Sequence, residues 1–117
     1  MPDEIKVVTI SIAQTERLNR VYRKKDKPTN VLSLRYGNDY AEILVCPSVI
    51  RREAKERGHT YEYQMTWMVV HGMLHVAGMH HEKSRKIAAI MERLEKKILT
   101  RIFGVVKNPK SQAPISK

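Results

Sequence analysis

The sequence is poor in cysteine and in aromatic residues. Its 117 residues include one cysteine, one tryptophan and one phenylalanine, and aromatics make up 6% of the chain. A single cysteine excludes an internal disulfide and is typical of a reducing compartment. Cys46 lies inside the apolar stretch EILVC, which predicts a small buried side chain. Aliphatic residues and methionine must therefore fill most of the interior.

Long apolar runs are also missing. The longest runs are short, such as residues 43–46, whereas a helix that crosses a bilayer needs about 20 consecutive apolar residues. The N-terminal stretch MPDEIKVV lacks the basic-then-apolar order of a signal peptide. We therefore expect a cytoplasmic protein that makes no membrane contact.

Positive charge is in clear excess. Lys and Arg number 22 against 12 Asp and Glu, which gives a net charge of +10 at pH 7. The cations cluster at 20–27, 51–57 and 83–86, and such surfaces attract phosphate backbones with salt-dependent affinity. The simpler alternative is solubility, or a general affinity for polyanions. For a chain this short and this basic, we favour a nucleic-acid partner.

Capping and turn residues divide the chain into short elements. The β-branched stretch 5–10 predicts a strand, and Ser11 with Gln14 forms a capping box that opens a helix. The proline in DKPTN ends that helix. Segments 31–36 and 40–46 flank a Gly-Asn-Asp turn, so they predict an antiparallel hairpin.

Three more helices are expected in the second half of the chain. The first spans 47–57, where a proline begins the helix and a glycine ends it. The second spans 61–77 and is capped by Thr60. The third spans 85–103 and begins after a serine. The third carries an apolar stripe typical of core packing, made of Ile87, Met91, Leu94, Ile98 and Ile102.

These elements predict an α+β fold in which a small mixed sheet of about three strands is covered by helices. One domain should span residues 1–105. The polar, proline-bearing residues 106–117 are expected to form a disordered basic tail.

Four of the five histidines lie in VVHGMLHVAGMHH, residues 69–81. His71 and His75 are four positions apart, so they stack on one face of the predicted helix. This helix is apolar around most of its circumference, and an unpaired buried polar group costs roughly 1–3 kcal/mol. A lone buried histidine is more often a hydrogen-bonded core residue, but two at this spacing favour a shared metal.

A third ligand must come from beyond the helix. If the helix continued, His81 would lie about 240° around and 9 Å along from His75, pointing away. Gly78 allows the chain to turn instead, since glycine adopts left-handed conformations without a Cβ penalty. The spacing H-x3-H-x2-G-x2-H is that of the metzincin zinc site, and it selects His81 over His80. Three imidazoles and an open position predict one catalytic Zn²⁺ at the end of a buried helix.

The residue after the first histidine argues against proteolysis. Metzincins carry a glutamate there, which acts as the general base. This chain has Gly72 in that position. A zinc peptidase is therefore the least favoured function.

Three stretches resemble the YbeY family of bacterial metal-dependent endoribonucleases, which act in ribosomal RNA maturation. HGMLHVAGMHH resembles the signature H-G-x-L-H-L-x-G-[YHF]-D-H. LNRVYRKKDKPTNVLSL (18–34) is similar to LN-x2-YR-x-KD-x-PT-[DN]-VLSF. AEILVCPSVIRREAKERGHT (41–60) resembles the family's [GD]-[DE]-I-x-I-[CS]-P stretch, the helix after it and its G-H-[ST] turn. The likeness covers roughly residues 5–104.

The resemblance implies zinc on the same three histidines and a role for Arg23, the arginine of the YR pair, in RNA cleavage. It also implies ribosomal RNA as the substrate and contact with the ribosome or its proteins. His80 stands where the family has aspartate, and Leu34 replaces a phenylalanine. The strand and helix that usually precede residues 5–10 are missing, so a dimer is one way to cover the exposed apolar surface.

We therefore expect a zinc-dependent endoribonuclease of single-stranded RNA, acting in ribosomal RNA maturation and ribosome quality control. Arg23 would stabilise charge on the phosphate, and the candidates for the general base are His80, His59 and metal-bound water. The alternative is a non-catalytic, zinc-stabilised module that binds RNA or the ribosome. An open three-histidine site favours the enzyme, because structural zinc sites usually have four protein ligands.

Overall fold

A computed structural model describes residues 1–79 and 84–104, which form three strands and four helices. The strands are β1 (Glu4–Thr9), β2 (Val31–Arg35) and β3 (Tyr40–Val45). The helices are α1 (Ile12–Arg23), α2 (Pro47–Arg57), α3 (Tyr61–Val76) and α4 (Arg85–Phe103). The expected tail at 106–117 lies outside the described residues. Within the described part, no helix has the length and apolar character needed to cross a membrane.

The three strands form one mixed sheet in the order β1-β3-β2. β1 runs parallel to β3 and places Ile5 opposite Ala41, whereas β2 runs antiparallel to β3 and places Val31 opposite Val45. The predicted hairpin is confirmed, and Tyr36 N–H donates to the carbonyl of Tyr40 at its turn. The α+β class and the three-stranded mixed sheet are therefore as expected from the sequence.

Most helix boundaries lie where the sequence predicts them, but α1 ends at Arg23 with a left-handed Lys24, before DKPTN, and α3 ends at Val76 rather than Ala77. Ser11 Oγ accepts from the Gln14 N–H at 3.2 Å, and Gln14 Oε1 accepts from the Ser11 N–H at 2.9 Å, which completes the capping box. Gly58 ends α2 in the left-handed conformation, and Thr60 accepts from the third residue of α3. Local side-chain chemistry therefore sets these boundaries.

The core lies between the central strand and α3. Ala41, Ile43 and Val45 of β3 are almost fully buried, and Cys46 is buried as expected. α3 packs on β2 and β3 and is flanked by α2 and α4. The expectation that Ile102 packs in the core is wrong, because its side chain is 57% exposed. The last turn of α4 extends past the buried face.

α3 meets the sheet most closely at Gly72. A Cβ at this position would lie 2.8 Å from Cγ2 of Ile43 and 3.1 Å from Oγ of Ser33. The Ser33 hydroxyl donates to the Gly72 carbonyl at 3.2 Å, which joins β2 to the middle of α3. Glycine is therefore required here by helix–sheet packing. This contact also fixes the height and rotation of the adjacent His71.

The end of α3 is tied to the sheet by Arg35. Its Nη1 donates to the carbonyl of Val76, the last residue of α3, and its Nε donates to the carbonyl of Gly37, both at 2.8 Å. Gly78 then has a φ of +104°, which confirms the predicted turn. Arg35 and Gly78 together set where the chain leaves the helix.

Gly72→Ala should lower the free energy of unfolding by about 1–3 kcal/mol, because the new methyl group overlaps Ile43. Helix propensity alone predicts the opposite, a gain of about 1 kcal/mol. Urea unfolding of the two proteins decides between them. In an Ile43→Ala background the same change should cost less, and an alanine variant more stable than the parent would contradict the packing argument.

Candidate metal centre

His71 and His75 lie one turn apart on the same side of α3, and their rings meet edge to face. Their Nε2 atoms are 3.1 Å apart and their ring centroids 4.7 Å apart. Two nitrogen ligands of one tetrahedral zinc, each about 2.0–2.1 Å from the metal, lie roughly 3.3 Å from each other. The spacing of the two ring nitrogens therefore fits a shared metal ion.

Glu95 of α4 lies behind this pair and binds the far side of His71. Its Oε2 is 2.5 Å from His71 Nδ1, and its Oε1 accepts from the indole Nε1–H of Trp67 at 2.9 Å. Glu95 is only 7% exposed, so its carboxylate needs both partners. A carboxylate that accepts from Nδ1–H favours the tautomer with the lone pair on Nε2, which is the tautomer that a metal ligand needs. The donor set is thus that of an oriented, metal-ready histidine.

Sequence reasoning did not single out Glu95. It occupies a buried position on α4 four residues after Met91 and four before Leu99, both of which are also buried. The available signal was a carboxylate in line with apolar residues of one helical face. Trp67 likewise looked like a core residue, although a half-buried indole usually needs an acceptor for its N–H.

The predicted third ligand, His81, and its neighbour His80 both lie outside the described residues. Within residues 1–79 and 84–104, no group of three or more histidine, cysteine, aspartate or glutamate side chains is arranged to hold a metal. The pair on α3 would supply two nitrogens, and a third donor must then come from the segment that follows Gly78. His81 stays a prediction.

The structure does not bring His59 to the histidine pair. It lies before the first residue of α3, and no contact joins it to His71 or His75 among the described contacts. Its Nδ1 is 2.7 Å from Oε1 of Gln64, and its ring packs edge-on against Tyr63. These contacts give His59 a packing role at the start of α3, and its part in proton transfer stays a prediction.

Arg23 is the last residue of α1, and its side chain is exposed. In the described part of the chain it forms no salt bridge with a carboxylate, whereas its neighbour Arg20 pairs with Asp26. The guanidinium is therefore available to an external anion. Its role in cleavage stays a prediction.

An α+β domain that presents H-x3-H on one helix, with a carboxylate behind the first ring, has a donor set that fits a metal ion. The family model described as Endoribonuclease YbeY matches residues 1–103. The chain therefore belongs to the YbeY family, whose members are named as endoribonucleases, hydrolases that act on RNA.

Relatives with that name agree over most of the chain. The chain is 36% identical to the Endoribonuclease YbeY of Thermotoga petrophila, covering 86% of this chain and 68% of the relative. It is 40% identical to that of Bordetella petrii, covering 83% and 65%. The solution structure of TM1509 from Thermotoga maritima matches with a TM-score of 0.62 at 33% identity, covering 86% of this chain and 68% of that one.

Glu95→Gln should weaken zinc binding by about 10–100-fold, because an amide cannot replace the carboxylate that orients His71. Competition with a chromogenic chelator measures this affinity directly, without any assay of activity. Glu92→Gln is the matched control, since Glu92 is exposed on the same helix. Equal zinc affinity in the two variants would show that Glu95 does not position the ligand.

Proposed function

We propose that this chain is a zinc-dependent endoribonuclease that cuts single-stranded RNA in ribosomal RNA maturation and ribosome quality control. The observation that supports zinc chemistry most directly is the convergence of the His71 and His75 Nε2 atoms, 3.1 Å apart, in a chain of the YbeY family. We propose His81 as the third ligand, the cytoplasm as the compartment and the ribosome as a partner.

Zinc held by His71, His75 and His81 would supply a Lewis acid that polarises the phosphate and lowers the pKa of water. The protein's own task is to hold the ligands still. Glu95 orients His71, and Trp67 occupies the second carboxylate oxygen, so the carboxylate cannot swing away. This support lies on a different helix from the ligands, which makes the geometry depend on the docking of α3 and α4.

The exposed guanidinium of Arg23 is the proposed contact for the phosphate. A guanidinium can donate two parallel hydrogen bonds to phosphate oxygens, and these strengthen as charge develops during bond cleavage. His80 precedes the third ligand in sequence and is the proposed proton carrier. His59 and metal-bound water are the other candidates for the general base.

Replacing either His71 or His75 by alanine should abolish RNA cleavage and reduce zinc affinity by more than about 100-fold, because each removes a direct ligand. Equilibrium dialysis followed by metal analysis measures the affinity, and a labelled single-stranded RNA reports cleavage. Wild-type protein stripped by a chelator should regain activity with added zinc. Full activity in a preparation shown to be metal-free would overturn the mechanism.

Arg23→Ala should reduce the cleavage rate by about 100-fold or more while changing RNA affinity far less, since the lost contact acts mainly on the developing charge. Single-turnover cleavage and filter binding separate the two effects. Arg17→Ala is the matched control, because Arg17 is another exposed arginine on α1. If no condition gives cleavage although RNA is bound, the non-catalytic binding module becomes the better description.

A further inference from the structure

A second group of side chains surrounds Trp67, the hydrogen-bond partner of Glu95. The guanidinium carbon of Arg57 lies over the Trp67 ring, 5.1 Å from its centroid. His59 packs edge-on against Tyr63 and Trp67, with ring centroids 4.7 and 6.0 Å away. Phe103 of α4 extends the group, 5.2 Å from Tyr63. One cation and four rings are therefore gathered where α2 ends and α3 begins.

Besides Phe103, which is 40% exposed, the exposed member of this group is Arg57. Its partner Trp67 is only partly buried, and in the described part of the chain no carboxylate forms a salt bridge with Arg57. Stacking on an aromatic ring holds the guanidinium in place, so less side-chain entropy is lost when the outer face meets a ligand. The guanidinium of Arg57 is therefore a positively charged group whose position is restrained by the Trp67 ring.

Trp67 connects this group to the histidine pair. Trp67 lies one helical turn before His71 on the same face of α3, a separation of about 5–6 Å. The other edge of its indole is bound to Glu95, which also binds His71. Two further cations on α2, Arg52 and Lys55, are exposed nearby in sequence. Arg57 is therefore joined to His71 by a chain of contacts through Trp67 and Glu95.

We propose that Arg57, held over Trp67, is a stacking site for a base of single-stranded RNA that enters the metal centre. Unpaired bases stack on arginine guanidinium groups and aromatic rings, and such contacts tolerate any base because every base has a π face. Positive charge next to the stack attracts the phosphates on either side. The proposal rests on the proposed function, since it assigns a binding site to the same substrate.

The test uses Trp67, the only tryptophan of the chain, as a fluorescent reporter. A single-stranded oligoribonucleotide is titrated into the full chain in the presence of a chelator, so that binding is measured without cleavage. An abasic ribose-phosphate oligomer of the same length supplies the charge without the bases. We expect the RNA to quench Trp67 and to bind about tenfold more tightly than the abasic oligomer.

Three variants separate stacking from charge. Arg57→Ala should weaken RNA binding about tenfold or more, and Arg57→Lys should recover only part of that loss because lysine keeps the charge without the planar face. Arg52→Ala removes one exposed cation from the same helix and should cost less. Thermal unfolding of each variant, followed by circular dichroism, shows that the comparison is made on folded protein.

Equal losses for Arg57→Ala and Arg52→Ala, or equal binding of RNA and abasic oligomer, would overturn the stacking site. So would a failure of the chain to bind single-stranded RNA. Cleavage by the zinc-loaded wild type is measured separately. If cleavage is present while Arg57 proves dispensable, the proposed function stands and only the stacking site fails. If base-dependent binding through Arg57 is found without cleavage, the stacking site stands and the enzyme reading fails.

Discussion

The hydrogen-bonded contact between Glu95 and His71 is the interaction on which the rest of the site depends. A carboxylate that is 7% exposed is costly to bury unless its oxygens are satisfied, and here one oxygen binds His71 and the other Trp67. The same contact orients the imidazole and joins α4 to α3. One side chain therefore both holds α4 against α3 and orients His71, so a substitution of Glu95 is expected to affect the two together.

The close approach of α3 to the sheet is the second constraint. Gly72 leaves no room for a Cβ against Ile43, so the helix lies low on β3 with its histidines at a fixed height. A side chain at this position would point into the sheet rather than towards the ligands. This geometry gives a packing reason for the residue that separates the chain from the metzincin pattern.

Much of the fold could be predicted from the sequence because its boundaries are set locally. The capping box at Ser11, the hairpin turn and the glycine that ends α2 act within a few residues. The pair of His71 and His75 was predictable for the same reason, since helix periodicity alone brings them together. Membership of the YbeY family rests on residues spread over most of the chain.

Contacts between residues far apart in sequence could not be predicted from the sequence. Glu95 is 24 residues from His71 and looked like one more polar residue on an amphipathic helix, so only the docked helices show its partner. Ile102 was assigned to the core because its spacing continues the apolar stripe. Its side chain is exposed because the last turn of α4 extends beyond the surface on which the helix packs. His59 shares a residue type with His71 and His75, but it lies before the start of α3 and contacts Gln64 and Tyr63 instead.

The link between Arg35 and the end of α3 has a consequence for the order of folding. Arg35 lies 41 residues before Val76, so this hydrogen bond forms only after the β2–β3 hairpin and α3 have docked. The point at which the chain leaves α3 is fixed by that late contact. If a metal is bound by ligands on both sides of this exit, as proposed above, its binding would require completed tertiary structure and would favour fully folded chains.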